Sequence, residues 1–390
     1  MEAAARLFKC RRRTAGTTRT GLLAAGALFL CSAHPGEVTV PGWTPAKLER
    51  LEYWIAKAPE DALPLLDAAP LARAEASGDG AAIDSTATDL ALRLARMHLL
   101  GFAPAAQRAG WRISDSDGAV DLHGQLERAV SLDMIDSFFA GLGPTHPDYA
   151  VLRAAYAAPA DPPSRLRIAR NMERWRWMPR SLGPDYVLVN AAAFEAELWR
   201  QGRLVGTWPV IVGKRSTPTP VFSAMITGVI LNPWWTVPES IIREKHGNFP
   251  ARQGYVRSGG QVRQKPGPDN ALGAMKLDMP NPFTVYMHDT PSKHLFAREV
   301  RAFSHGCIRV GNALDFAGTL LEGIKTRDDI QAIVATRNTI TIRLPADLPV
   351  YVAYFTAGAD GRGKLALYPD IYNRDGRVGD ATVPSDGCSA

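Results

Sequence analysis

The sequence predicts an α+β protein, helical in its first half and β-rich in its second, on three observations. Between residues 41 and 160, Ala/Leu-rich stretches carry apolar residues at helical spacing, broken by polar segments. From Tyr186 onward apolar and polar residues alternate instead. Between the two regimes, Ala157 to Ser164 holds Pro159, Pro162 and Pro163, the composition of a boundary. Over 390 residues, 46% hydrophobic content is that of a folded chain.

The chain opens with a targeting pattern. Arg6, Lys9, Arg11, Arg12, Arg13 and Arg19 precede the apolar run Gly21 to Leu30, followed by the small residues Cys31, Ser32 and Ala33. This is the order of a secretory signal at residues 1–33, cleaved after Ala33. The run is about half of what spans a hydrocarbon core, so the mature protein is expected without a transmembrane segment. A retained anchor and a lipid on Cys31 are the alternatives; the bulky Leu30 argues against the lipid. Export implies a periplasmic protein.

Helices are expected at Leu48 to Ala58, Thr88 to Leu99 and Leu126 to Leu142, forming an accessory scaffold over residues 41–160. In residues 165–375, strands are expected at Tyr186 to Asn190, Phe194 to Trp199 and Leu204 to Val212, the last two joined by a turn at Gln201-Gly202. The stretch 232–270 is rich in Pro, Gly and aromatic residues, too long for a plain loop, and reads as a flap over a site. Thr339 to Leu344 alternates, and Val350 to Thr356 is expected to pair with Leu365 to Tyr368. Residues 376–390 are a tail.

Charge gives little away. The pI of 9.2 belongs largely to the targeting segment. Residues 1–33 hold six of the 45 Lys and Arg and one of the 39 acids, leaving 39 cations against 38 anions. No nucleic-acid partner is expected of so balanced a chain. Cys10 and Cys31 leave with the signal, so Cys307 and Cys388 remain, enough for one disulfide or for a reactive thiol plus a dispensable tail thiol.

The informative segment is VYMHDTPSKHLFAREVRAFSHGCIRV, residues 285–310. It lies between an expected strand, Phe283 to His288, and an expected helix, Ala313 to Leu321, capped by Asn312. A thiol attacks a carbonyl as thiolate and needs a base or a positive field to form it. His305 shares an extended face with Cys307, and His288 could reach it from a neighbouring strand. Gly306 would let a substrate approach backbone N–H groups that bind an oxyanion. The competing reading is zinc held by His288, His294, His305 and Cys307, but their spacings match no common zinc module.

SHGCIRV, with a His 19 residues upstream of the Cys in YMHDTP, resembles the signature of L,D-transpeptidases with a YkuD domain. NMERWRWMP (171–179), TPVFSAMITGVILNPWWTVPESI (219–241), KPGPDNALGAMKLDMPN (265–281) and YFTAGADGRGKLALYPDIYNRD (354–375) are similar to its YcbB-like branch. The resemblance implies an inserted capping subdomain near 232–265 and roles residue by residue. Cys307 would be the nucleophile and His288 the base, with the Asp289 carbonyl orienting the imidazole. The Cys307 N–H, beside Gly306, would serve the oxyanion hole. Arg309 would anchor a substrate carboxylate or brace the site, His305 would be a neighbour on the substrate-binding side and not the base, and Trp234 and Trp235 could line the groove. The ERWRW segment would be a structural joint.

The implied chemistry joins peptidoglycan stem peptides, donor and acceptor, through a Cys thioester, either 3–3 or in a variant 1–3 linkage, in a monomer needing neither metal nor organic cofactor. Carbapenem-type inhibitors are expected to acylate it. An L,D-carboxypeptidase, a lipoprotein-to-peptidoglycan ligase and a silent wall-binding or zinc-binding protein are the alternatives. Longer relatives carry a peptidoglycan-binding module before ERWRW; here only a short stretch stands in its place, which leaves the stem position open.

Overall fold

The computed structural model describes residues 42–379. The targeting segment and Cys388 lie outside the described residues. The helices α1 (Pro45–Lys57), α2 (Ala69–Ser77), α3 (Gly80–Leu100), α4 (Leu122–Ser131), α5 (Ile135–Ala140) and α6 (Pro147–Ala157) form the first half. α7 (Pro162–Trp175) follows across the proline-rich boundary, its N-terminus capped by the Asp161 side chain. The single helix expected over Leu126 to Leu142 is two. Asp133 adopts a left-handed backbone (φ 56°) between α4 and α5, which no helix interior tolerates.

Two cores result. Trp43, Leu51, Leu71, Leu90, Leu94, Leu126 and Phe139 bury the helical region's own interior. Tyr149, Leu152 and Tyr156 of α6 belong to the other core, with Ile168, Met172 and the strands that follow. α6 lies within the expected scaffold range 41–160, and its apolar face packs against the β-rich half. No described helix is long and apolar enough to cross a membrane.

The strands are β1 (Trp111–Arg112), β2 (Tyr186–Asn190), β3 (Glu195–Arg200), β4 (Arg203–Gly213), β5 (Val221–Leu231), β6 (Trp235–Thr236), β7 (Tyr255–Ser258), β8 (Gln261–Gln264), β9 (Met275–Asp278), β10 (Met287–His288), β11 (Ala302–Ser304), β12 (Ile308–Val310), β13 (Ile340–Ala353), β14 (Ala357–Ala359) and β15 (Leu365–Leu367). β3 and β4 form a hairpin whose turn residues Gln201 and Gly202 both have positive φ, the geometry that matches strand twist. In the order β5-β13-β2-β3-β4-β12-β10-β9, each strand pairs with the next, and β9 pairs back with β5. Closure leaves the ring without a free edge.

Two strand expectations are corrected. Only Met287 and His288 of the stretch expected from Phe283 enter the sheet, because the Asn281 side chain accepts from the N–H groups of Phe283 and Val285 and ties them locally. Val350 to Ala353 lies between β2 and β5, with both edges used, so Leu365–Leu367 pairs with Ala357–Ala359. α9 (Ala313–Leu320) begins at Asn312, yet Asn312 sits in the left-handed region (φ 48°) and its side chain caps nothing. α8 (Glu239–Glu244) and the sheet β6-β8-β7 make the capping subdomain, with a small core of Trp235, Val237, Tyr255, Val262 and Leu272. α10 (Arg327–Thr336) opens with a capping box on Thr326 and Asp329.

The ERWRW segment joins the halves through buried charge. Glu173 accepts from Ala103 N–H (2.8 Å) and Trp177 Nε1 (2.9 Å), while Arg176 donates to the Asp61 carbonyl and the Tyr149 hydroxyl. Arg174 points the other way, donating to Asp375 Oδ1 (2.7 Å), which also accepts from Thr356. Trp175 stacks between His146 and Phe355, each 4.4 Å away. Removing one partner of such a set strands the other without water. Glu173→Gln is expected to destabilise the protein by about 3–5 kcal/mol in urea unfolding; a loss below about 1 kcal/mol would show that the joint is not held by charge.

Candidate active site

β10 and β12 run parallel and in register, His288 opposite Arg309 and Met287 opposite Ile308, so the residue before β12, Cys307, lies beside the end of β10. β12 pairs with β4 and β10 with β9, so both short strands are held from either side. Short strands can present reactive groups rigidly only when flanked in this way.

The cleft over them has a volume of about 540 Å³ and is lined by His288, Cys307, Arg309, Ser304, His305, Tyr286 and, from the cap, Trp235 and Tyr255. Trp235 therefore faces the cleft while packing in the cap's core. Trp234 does not line it: its ring lies against the guanidinium of Arg263, 4.7 Å away. That corrects its expected place in the groove, since neighbouring residues of an extended segment face opposite sides.

His288 is 4% exposed, and its Nδ1 meets the backbone carbonyl of Asp289 at 2.5 Å. A carbonyl only accepts, so Nδ1 carries the hydrogen. Burial first, then the charge of Arg309, lowers the pKa of His288 to about 4. The ring is therefore neutral at pH 7, and Nε2 holds a free lone pair. Asp289 is itself fixed: its N–H donates to Met275, its Oδ2 accepts from Ala274 N–H, and Lys293 pairs with Oδ1. Gly273, at φ +62°, leaves room for that carboxylate; a Cβ there would lie 2.3 Å from Oδ2.

The nucleophile loop is braced from behind. Ser304 Oγ donates to the Cys307 carbonyl (2.5 Å) and accepts from Gly306 N–H (3.1 Å), and Thr219 Oγ1 donates to the Gly306 carbonyl (2.9 Å). Gly306 has φ +113°, which side chains rarely adopt. Its N–H is committed to Ser304, whereas the Cys307 N–H can serve an oxyanion, beside the Tyr286 backbone N–H that bonds the Cys307 side chain. His305 is exposed and lines the cleft; its Nε2 contacts Glu244 of the cap at 2.6 Å and Lys214 at 3.4 Å, tying cap to loop.

Burial pushes the Cys307 thiol up from its ordinary pKa, while the backbone N–H of Tyr286 and then the charges of Arg309 and Lys276 pull it down, and burial wins. The resting pair is thiol and neutral imidazole. Lys276, which sequence reading missed, sits on β9 opposite His288 with its ammonium 4.3 Å from the Tyr286 ring. Only strand register reveals it. The Arg309 guanidinium has no hydrogen bond or ion pair among the described residues, so nothing is braced by it. The proposed zinc set does not assemble: no group of three or more His, Cys, Asp or Glu forms a cage among the described residues, and His294 lies outside the cleft.

A thiol and an imidazole with a free lone pair, facing one roofed cleft, define a cysteine–histidine site suited to acyl transfer. Residues 184–334 match the family model of the L,D-transpeptidase catalytic domain, YkuD, and residues 40–155 that of a scaffold domain. The chain thus carries a YkuD L,D-transpeptidase catalytic domain behind a scaffold. A "Putative L,D-transpeptidase" of Haemophilus influenzae is 30% identical over 252 residues, covering 56% of this chain and 50% of the relative. The chain so spans about half the length of that curated relative. Among solved structures, an L,D-transpeptidase from Mycobacterium smegmatis aligns at 14% identity (TM-score 0.25), covering 44% of this chain and 58% of that one. L,D-transpeptidase 3 from Mycobacterium tuberculosis, in complex with a faropenem-derived adduct, aligns at 15% identity (TM-score 0.25), covering 43% and 60%.

Because the resting thiol is protonated, alkylation of Cys307 by iodoacetamide should rise with pH through a midpoint above that of an ordinary thiol, and mass spectrometry reads it directly. Lys276→Met and Arg309→Met should each slow it at pH 7 by about two- to fivefold. A plateau of fast alkylation extending to acid pH would instead show a preformed thiolate–imidazolium pair.

Proposed function

We propose that this protein is an exported peptidoglycan L,D-transpeptidase of the YcbB-like branch, acting through a thioester on Cys307. The carrying observation is the neutral His288, its Nδ1 occupied by Asp289, facing the same cleft as Cys307. The order of four family-like segments supports the branch, and the composition of residues 1–33 supports export to the periplasm.

Nε2 of His288 takes the thiol proton as Sγ attacks the donor carbonyl; the resting pKa order makes this transfer uphill alone, so it accompanies attack. The oxyanion forms against the Cys307 N–H, and Arg309 and Lys276 offset the charge that develops. The imidazolium returns its proton to the leaving amine, D-Ala for a tetrapeptide donor, and a thioester remains. The side-chain amine of an acceptor diaminopimelate, deprotonated by His288, then attacks the thioester and releases the thiol. Arg309, unpaired in the cleft, is suited to a stem-peptide carboxylate through its two-pronged donor face. A carbapenem would acylate the same Cys307 sulfur through its β-lactam carbonyl, the ring C–N bond opening and the nitrogen taking the proton.

Incubating the protein with defined tetrapeptide muropeptides, followed by mass spectrometry, is expected to give a cross-linked dimer, and fragmentation distinguishes a 3–3 from a 1–3 bond. Hydrolysis alone would make it a carboxypeptidase. Cys307→Ala should abolish product, and Arg309→Met should raise KM by about tenfold or more with a smaller change in kcat. Full activity in Cys307→Ala would overturn the mechanism.

A further inference from the structure

Away from Cys307, beside the ERWRW joint, lies a second, smaller cavity of about 60 Å³. Four arginines line it: Arg108, Arg174, Arg374 and Arg377, with Trp177 and Tyr354 among the walls. Two of these guanidinium groups are incompletely used. Arg174 is 2% exposed; its Nη1 meets Asp375, yet its Nη2 is buried with no partner. Arg374 donates through Nη2 to the Thr219 carbonyl (3.2 Å) while its Nη1 is likewise buried and unpartnered. Unpaired charged donors buried in a native protein call for a partner.

The charge balance around the cavity points the same way. Glu173 is committed to Ala103, Trp177 and Arg176, and its carboxylate stands 4.0 Å from Arg108. Asp375 is committed to Arg174 and Thr356. Arg374 and Arg377 have no carboxylate partner among the described residues. Arg374 is held over the faces of Tyr354 and Tyr372, 4.9 Å from each, and Arg108 over Trp177, so aromatic walls fix where these cations stand. Burial lowers the pKa of Arg374, and the like charges of Arg174 and Arg377 lower it further, as expected for cations gathered without a counter-ion.

We infer that this cavity is a binding site for one small tetrahedral oxyanion, inorganic phosphate or sulfate in size, held by the free Nη1 of Arg374 and Nη2 of Arg174 with Arg108 and Arg377 around it. Its volume admits such an ion and excludes larger polyanions. Fork-shaped donors converging on one small pocket suit phosphate better than chloride, whose single centre cannot meet them in pairs.

The full-length protein, dialysed into chloride buffer, is titrated with inorganic phosphate at constant ionic strength while its melting temperature is followed. A saturable rise is expected, with sulfate competing and citrate, too large for the cavity, giving none. Arg377→Ala, an exposed side chain, should melt normally in chloride and bind phosphate about tenfold more weakly, the loss of one charge-assisted contact. Arg374→Met should bind more weakly still; if it does not fold, Arg377→Ala decides alone. Arg309→Met should leave the rise intact. No saturable rise, equal affinity in Arg377→Ala, an equal response to citrate, or loss of the rise in Arg309→Met, which would place the ion in the Cys307 cleft, each overturns the inference.

Discussion

Everything at the cleft depends on one hydrogen bond, from Nδ1 of His288 to the carbonyl of the next residue, Asp289. It selects the tautomer, and with it the nitrogen that can take a proton. A buried imidazole without it could present either nitrogen. The bond is short-range in sequence but not self-supporting, because Asp289 must be pinned by Met275, Ala274 and Lys293 before its carbonyl can pin the ring. Gly273, with no Cβ, makes that pinning sterically possible.

The same logic of support from behind recurs at the nucleophile. Ser304 and Thr219 hold the loop that carries Cys307, and Thr219 is in turn contacted by Arg374 and Tyr372. These residues belong to the C-terminal segment whose Asp375 anchors Arg174 of the joint. Position of the reactive sulfur is thereby tied, through hydrogen bonds as well as apolar packing, to the way scaffold and catalytic halves meet. Buried polar networks specify one arrangement where an apolar interface would tolerate sliding; that is a physical reason for so much charge in ERWRW.

Much of this was legible in the sequence where a local signal existed. Alternation located β2 to β4 within a residue or so, and the paired positive-φ turn at Gln201-Gly202 is a two-residue signature. Helical spacing located α1 and α3. What failed had long-range causes. Asn281 withdrew Phe283 to Tyr286 from the sheet by side-chain bonds that alternation does not encode, and the burying partners of α6, in α7 and β14, are equally invisible to local spacing. Cys307 and His288 stood out by residue type; Lys276 did not, since a lysine in a strand ordinarily signals a solvated face. Trp234 and Trp235 looked equivalent until the cap turned one to the cleft and the other onto Arg263.

The most direct test of the account is the protonation and tautomer of His288, read by nitrogen-15 NMR of protein labelled at histidine, across pH. A neutral ring with hydrogen on Nδ1, titrating near pH 4 and not near the ordinary value for histidine, is the predicted result. An imidazolium at pH 7, or hydrogen on Nε2, would contradict the assignment of His288 as the resting base.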